Sequence, residues 1–285
     1  MNHWLAIYKR ENVKTQIEKA VKFKELHDRN HCFVIPNPWD VGSAKIIAHY
    51  EFEALATTSA GLAFSLGRRD AEGQLSINEA LDNARQIVEA TNLPVSADLE
   101  NGYSNKPEGV LKTIQSAAAV GLVGGSIEDT TLNNDSPIRE FELAVDFVRA
   151  AVEAKNSLPF PFILTARAEN FSYGRPDLND TIRRLQAYQE AGADVLYAPG
   201  LASKEDITAV VTSVDRPVNV VMGLQGAILS LSELSEIGVR RVSLGSSLSR
   251  AAFGGLIDAI IEVQQKGTFT FADTAIPFGK LNSMF

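Results

Sequence analysis

The sequence predicts an α/β protein, a (β/α)8 TIM-type barrel, on three observations. Short apolar runs alternate eight times with amphipathic stretches along 285 residues, an ordinary length for such a barrel. Val120-Gly121, Ala191-Gly192 and Ile237-Gly238 each close a helix with glycine, and an apolar strand follows within about three residues. Polar and charged residues collect where the apolar runs stop, and such barrels keep their sites at the carboxyl ends of their strands. Apolar strands joined by helices imply a parallel sheet covered on both faces. The competing open, doubly wound sheet needs a glycine fingerprint after its first strand, and Pro36-Asn37-Pro38-Trp39 is nothing like one.

Taken in order, Asn12 to Asn30 reads as an amphipathic helix that precedes the barrel, within an N-terminal extension of residues 1–31. Cys32 to Ile35 is a buried strand ended by Pro36 and Asn37, and Asp40 caps a helix running to about Tyr50. Glu53 to Thr58 is a strand, followed by a glycine-bearing loop from Ser59 to Asp70. Ser76 and Glu79 form a capping box for a helix to Ala90. Strands are expected at 95–98, 123–127, 162–166, 194–198, 218–221 and 241–244. Helices are expected at 107–120, 137–155, 179–191, 203–212, 230–237 and 249–265. An irregular tail, 267–285, completes a single barrel domain spanning 1–285.

Composition narrows the function. The hydrophobic share is 45% and the charged share 22%, normal for a globular protein. A net charge of −8 argues against nucleic acid or an anionic membrane as partner. No apolar run is long enough to span a bilayer. Cys32 is the sole cysteine, which forbids an internal disulfide and fits a cytoplasmic location. It lies in an apolar run and reads as a buried small hydrophobe.

The chemistry is expected around Pro94-Val95-Ser96-Ala97-Asp98-Leu99-Glu100-Asn101-Gly102-Tyr103. Asp98 and Glu100 are two apart, so on an extended segment both carboxylates share a side. Paired like charges with little water call for a hard cation such as Mg²⁺, and Glu128 adds a third carboxylate from the next strand. Two solvated acids in a turn are the plainer alternative. Arg167 ends its strand with a cationic fork suited to a carboxylate or phosphonate, or serves only to neutralise Glu128 or Glu169. Ser59 to Leu62 offers a hydroxyl and backbone N–H groups, a nest for an anion. Asn219 is a further substrate-binding candidate at the rim or a loop cap, and Trp39 a hydrophobic wall, a group that recognises substrate, or both. No histidine falls near the predicted rim and no lysine ends a strand, which disfavours a histidine base and a Schiff-base aldolase.

Several of these motifs together resemble the isocitrate lyase/phosphoenolpyruvate mutase superfamily. They are Asn37-Pro38-Trp39-Asp40, Thr58-Ser59-Ala60-Gly61, Ala97-Asp98-Leu99-Glu100-Asn101-Gly102-Tyr103, Ser126-Ile127-Glu128-Asp129, Thr165-Ala166-Arg167 and Val242-Ser243-Leu244-Gly245-Ser246. The resemblance implies a homodimer or homotetramer whose last helix is exchanged between subunits. It implies Mg²⁺ bound largely through water and substrates that are α-keto acids or yield pyruvate-like enolates. It places the substrate carboxylate at Ser59, Gly61 and Leu62, the metal at Asp98, Glu100 and Glu128, an ordering role at Asp70, and the enolate oxygen at Arg167. The Lys-Lys-Cys-Gly-His loop of the isocitrate and methylisocitrate lyases is missing, which argues against those activities. The lid of the phosphonomutases corresponds to 130–136, where Asn133 or Asn134 and Ser136 match but the lysine does not. The sequence therefore favours a lyase or decarboxylase on an oxaloacetate-like keto acid. Phosphoenolpyruvate/phosphonopyruvate mutase or phosphonopyruvate hydrolase activity is the second reading, and a keto-acid-binding barrel without turnover the third.

Overall fold

The computed structural model describes residues 14–131, 133, 135–224 and 228–285. Its eight strands are β1 (Phe33–Ile35), β2 (Leu55–Ala56), β3 (Val95–Asp98), β4 (Gly124–Glu128), β5 (Ile163–Arg167), β6 (Val195–Tyr197), β7 (Val218–Val221) and β8 (Arg241–Ser243). All ladders are parallel, in the order β1-β8-β7-β6-β5-β4-β3-β2. The two end strands meet through the Ala56 N–H, which donates to the Pro36 carbonyl at 3.0 Å. Asn37 reinforces that seam: its amide NH₂ donates to the Thr57 carbonyl at 3.0 Å, and its oxygen accepts from the Leu244 and Gly245 N–H groups at 2.9 Å. Its polar groups are thus spent on closing the barrel.

The helices between strands are α2 (Val41–His49), α3 (Ser59–Ser65), α4 (Ile77–Ala90), α5 (Pro107–Ala119), α6 (Phe141–Asn156), α7 (Leu178–Ala191), α8 (Lys204–Thr212) and α9 (Leu231–Glu236), after α1 (Gln16–Asp28). Their caps follow the sequence: Asp40 accepts from the Ser43 N–H at 2.7 Å, and Ser76 and Glu79 form the expected box. Gly121, Gly192 and Gly238 carry left-handed φ of 95°, 107° and 91°. A Cβ on them would approach Val88, Val152 and Val211 to 2.7–2.9 Å, so these turns need glycine for shape as well as conformation.

Helix α1 stops the barrel from below. Phe23 and Leu26 are buried in one apolar cluster with Phe33, Ala54, Ile163 and Val195. Gly124 leaves the room, since a Cβ there would stand 2.8 Å from the Phe23 ring. Above this floor the lining turns polar, with Ser96, Ser126, Thr165, Asn219, Arg241 and Ser243 in place of the branched aliphatics usual in such barrels.

Three expectations need correction. The stretch 59–70 is not all loop, because Thr58 caps α3 by accepting from the Gly61 N–H at 3.2 Å. Helix α6 begins at Phe141 and not at 137, because Ile138 is taken up in an antiparallel bridge with Thr130. The tail holds a 3₁₀ turn at Thr270–Asp273 and a short α11 (Phe278–Asn282). The long α10 (Ser247–Lys266) buries only Ser249 and exposes Leu256, Ile257, Ile260 and Ile261.

Candidate active site

Arg167 organises the site. It is the last residue of β5, in register with Glu128 on one side and Tyr197 on the other. Its Nη1 donates to Asp98 Oδ1 at 3.0 Å, its Nη2 pairs with Glu128 Oε2 at 2.9 Å, and its Nε donates to Glu169 Oε1 at 2.7 Å. The guanidinium also stands 5.3 Å from the Tyr197 ring centre. Asp98, at the end of β3, gives its second oxygen to the Ser59 hydroxyl at 2.8 Å, and its own N–H donates to Thr57 Oγ1 at 3.0 Å. Glu128, at the end of β4, accepts from the Thr130 hydroxyl at 2.8 Å. Asp98 and Glu128 are therefore each held from a second side as well.

These groups line a cavity of about 390 Å³ at the carboxyl ends of the strands. Five carboxyl groups (Asp70, Asp98, Glu100, Glu128, Glu169) and two guanidinium groups (Arg167, Arg241) face it. The excess of acids shows in their protonation. Burial, with Asp98 and Asp70 beside it, pushes Glu100 up to about 7. Burial and Asp98 raise Asp70 in the same way. Burial also raises Glu128, against the pull of Arg167.

The structure brings Ser59, Asp70, Asp98, Glu100, Glu128, Arg167 and Asn219 to the cavity wall. Glu100 arrives differently from expected: β3 ends at Asp98 and Glu100 has φ 46°, so the two acids do not share one extended face. A left-handed non-glycine residue beside a cavity is strain held by its surroundings. Gly61, Leu62 and Trp39 lie off the wall. Gly61 and Leu62 N–H groups bond to Thr58 within α3, Leu62 packs against Ala63 and Leu75, and Trp39 stands behind Gly61. Of the stretch from Ser59 to Leu62, Ser59 and Ala60 are on the wall. Asn219 has both amide groups engaged, donating to Ser243 Oγ at 2.9 Å and accepting from Arg241 Nε at 2.8 Å. Asn133 is exposed, and its side chain accepts from the Asp135 N–H at 3.0 Å. Asn134 lies outside the described residues. Asp129 turns away from the rim to accept from the Glu169 N–H, Arg184 and Tyr188 at 2.9, 3.1 and 2.7 Å.

Among the described residues no three or more His, Cys, Asp or Glu side chains converge as a direct ligand set. The donor chemistry nevertheless fits Mg²⁺, which takes one or two carboxylates and keeps several waters. The donors are carboxylate oxygens, and among the described residues Glu100 has no ion-pair partner. Tyr103 Oη, raised in pKa by burial and by Glu100, Asp98, Glu128 and Asp70, is buried without a hydrogen-bond partner.

The Arg167–Glu169 pair is the neutralising contact the sequence offered as an alternative. Residues the sequence did not single out are the Tyr197 ring and Arg241. Arg241 carried a signal, since an arginine two residues before Ser243 in a short strand must face the same way as that serine.

Comparison with known proteins adds the following. The phosphoenolpyruvate phosphomutase family model matches residues 23–264. The crystal structure of a lyase/mutase-type protein from Burkholderia cenocepacia J2315 is 52% identical, covers 94% of this chain and 95% of its own, and superposes with a TM-score of 0.92. The 2,3-dimethylmalate lyase of Eubacterium barkeri is 25% identical over 93% of both chains. An oxaloacetate decarboxylase of Pseudomonas aeruginosa is 26% identical over 86% of this chain and 85% of its own.

Proposed function

The chain belongs to the phosphoenolpyruvate phosphomutase family, and from that premise we propose that it is a Mg²⁺-dependent lyase or decarboxylase acting on a small, oxaloacetate-like α-keto acid through an enolpyruvate intermediate. The observation that carries the reading is Arg167, fixed by Asp98, Glu128 and Glu169 at the mouth of an acid-rich cavity. A guanidinium has five N–H donors, and three are occupied, so two remain for a ligand oxygen. When the C–C bond breaks, its electron pair moves onto the keto oxygen, and a fixed cationic donor there stabilises the charge that develops. Asp98, Glu100 and Glu128 would hold Mg²⁺, largely through water, with Asp70 ordering that shell. The bound cation would supply a Lewis acid to the keto oxygen. Ser59, through its bond to Asp98, keeps that carboxylate turned to Arg167. The related decarboxylase and lyase support a C–C bond as the one broken.

The second reading, phosphonopyruvate chemistry, draws on the matched family itself. It asks for several cations on the moving phosphoryl group. Among the described wall residues the cations are Arg167 and Arg241 alone, which favours the first reading. The protein is further proposed to be a cytoplasmic homodimer or homotetramer, with α10 as the exchanged element.

The test is a screen of the purified protein with Mg²⁺ against oxaloacetate, substituted malates and phosphonopyruvate, following pyruvate, carbon dioxide and phosphate. Pyruvate from a keto diacid, abolished by EDTA, is the expected result; pyruvate from a malate would instead show a lyase acting on a 2-hydroxy diacid. Phosphate release would establish the second reading. Tight oxalate binding without any product would show a binding barrel.

A further inference from the structure

The residues Arg167, Tyr197, Asn219 and Arg241 stand directly opposite one another in successive ladders from β5 to β8. Arg167 ends its strand and Arg241 begins its own, so this row runs from the rim down into the barrel. Both guanidinium groups line the same cavity.

The two are placed in opposite electrostatic settings. Arg167 has three carboxylate partners. Arg241, 5% exposed, donates to Asn219 Oδ1 at 2.8 Å, Thr165 Oγ1 at 2.9 Å and His27 Nε2 at 3.2 Å. A guanidinium can only donate, so His27 Nε2 accepts and its Nδ1–H bonds the Phe23 carbonyl at 2.8 Å. All three acceptors are therefore neutral, and among the described residues Arg241 forms no ion pair. Two of its five N–H donors remain. Burying a charge against neutral partners is costly unless an opposite charge joins it. The neighbouring Arg240, by contrast, stays at the surface and reaches the Asn30 carbonyl. The small hydroxyl residues Ser96, Ser126 and Ser243 line the cavity beside Arg241 and leave the interior open.

We propose that the barrel interior holds a second anion subsite, in which Arg241 takes a carboxylate or a carboxylate-sized monoanion, apart from the keto-acid position at Arg167. In its fuller form the inference rests on the proposed function and deepens it: the substrate is a diacid, and its far carboxylate reaches Arg241. The same chemistry serves a free small anion, and the test separates the two sources.

Calorimetric titration of the Mg²⁺-loaded protein with oxalate, then malonate, succinate and glutarate, is compared between wild type and Arg241→Gln. Formate is titrated into both by thermal shift. Oxalate reads the rim, and it should bind both proteins alike. At least one longer diacid should bind Arg241→Gln about tenfold more weakly or worse, the loss of one charge-assisted contact. If only the formate response is lost, the subsite holds a free anion. Equal diacid affinities together with equal formate responses overturn the inference while leaving the proposed function standing. Failure of oxalate to bind wild type speaks against the rim reading, and the formate arm still decides the subsite. Should Arg241→Gln not fold, Ser126→Val narrows the cavity with Arg241 in place, and the same losses are expected.

Discussion

The Nη1 of Arg167 donates to Oδ1 of Asp98 across 3.0 Å, joining the ends of two strands that are not neighbours. That contact fixes the direction in which the guanidinium faces the cavity. Lysine keeps the charge but loses the fork. Arg167→Lys should therefore lower turnover about 10²–10³-fold, the scale for losing one preorganised donor to a developing oxyanion. Arg167→Ala would also leave three carboxylates without their partner and destabilise by about 3–5 kcal/mol, so lysine is the cleaner probe. Steady-state rates on the best substrate of the screen, with circular dichroism as the folding control, decide it. Unchanged turnover in Arg167→Lys would remove Arg167 from the chemistry.

Glu100 gives a second prediction, independent of turnover. Its carboxyl is pushed up to about 7 by burial and by the charges of Asp98 and Asp70, so a cation that draws these acids together relieves their repulsion. Mg²⁺ at about 100 times its dissociation constant should stabilise the fold by about 2.7 kcal/mol. Glu100→Gln should raise the Mg²⁺ concentration needed for half of that gain. Thermal denaturation against Mg²⁺ measures both. A melting temperature indifferent to Mg²⁺ in wild type would count against the cation.

Much of the fold was legible because its signals are local. Alternation, caps and the three helix-ending glycines each depend on residues close in sequence, and Asp40, Ser76 and Gly192 behave as their types require. Arg167 and the acids were legible because chemistry-bearing residues at strand ends have few structural excuses. What failed depended on distant partners or on the exact geometry of a turn. Asn37 stops β1 at the cavity, and its amide spans a seam between β1, β2 and β8 that no local pattern reveals. Gly61 looked like part of an open nest, yet Thr58 had already claimed its N–H. Asp129 directly follows Glu128 at the end of β4, yet Arg184 and Tyr188, more than fifty positions away, draw it into the wall. Glu100 reads in the sequence as continuing the extended segment from Asp98, but it has a positive φ in the turn that follows.

The third prediction concerns α10. Leu256, Ile257 and Ile260 are each 53% exposed along its length, a stripe too apolar to be left in water. If this stripe is the proposed subunit contact, Ile257→Glu with Ile260→Glu should shift the protein to smaller species. Sedimentation velocity or light scattering reads the change. A wild-type monomer, or an unaltered assembly in the double variant, would exclude that role for the stripe.

The fourth prediction comes from beneath the site. His27 is buried between Phe23 and Phe33, edge-on to both rings, with Arg241 on its Nε2. Burial and the Arg241 charge lower it from 6.5 to about 3. The folded protein thus keeps His27 neutral where the unfolded chain would protonate it. Below pH 6.5 the unfolded state binds the extra proton, so stability is lost as pH falls and the loss continues down to about 3. Between pH 6.5 and 4.5 this one group should withdraw about 2–3 kcal/mol, at about 1.4 kcal/mol for each unit. Urea denaturation of wild type and His27→Gln at the two pH values isolates the effect. Glutamine can still offer Arg241 an oxygen but does not titrate, so the variant's own loss over that interval should be smaller by that amount. Equal losses would mean that His27 titrates alike in the folded and the unfolded protein, and that its burial against Arg241 does not hold it neutral.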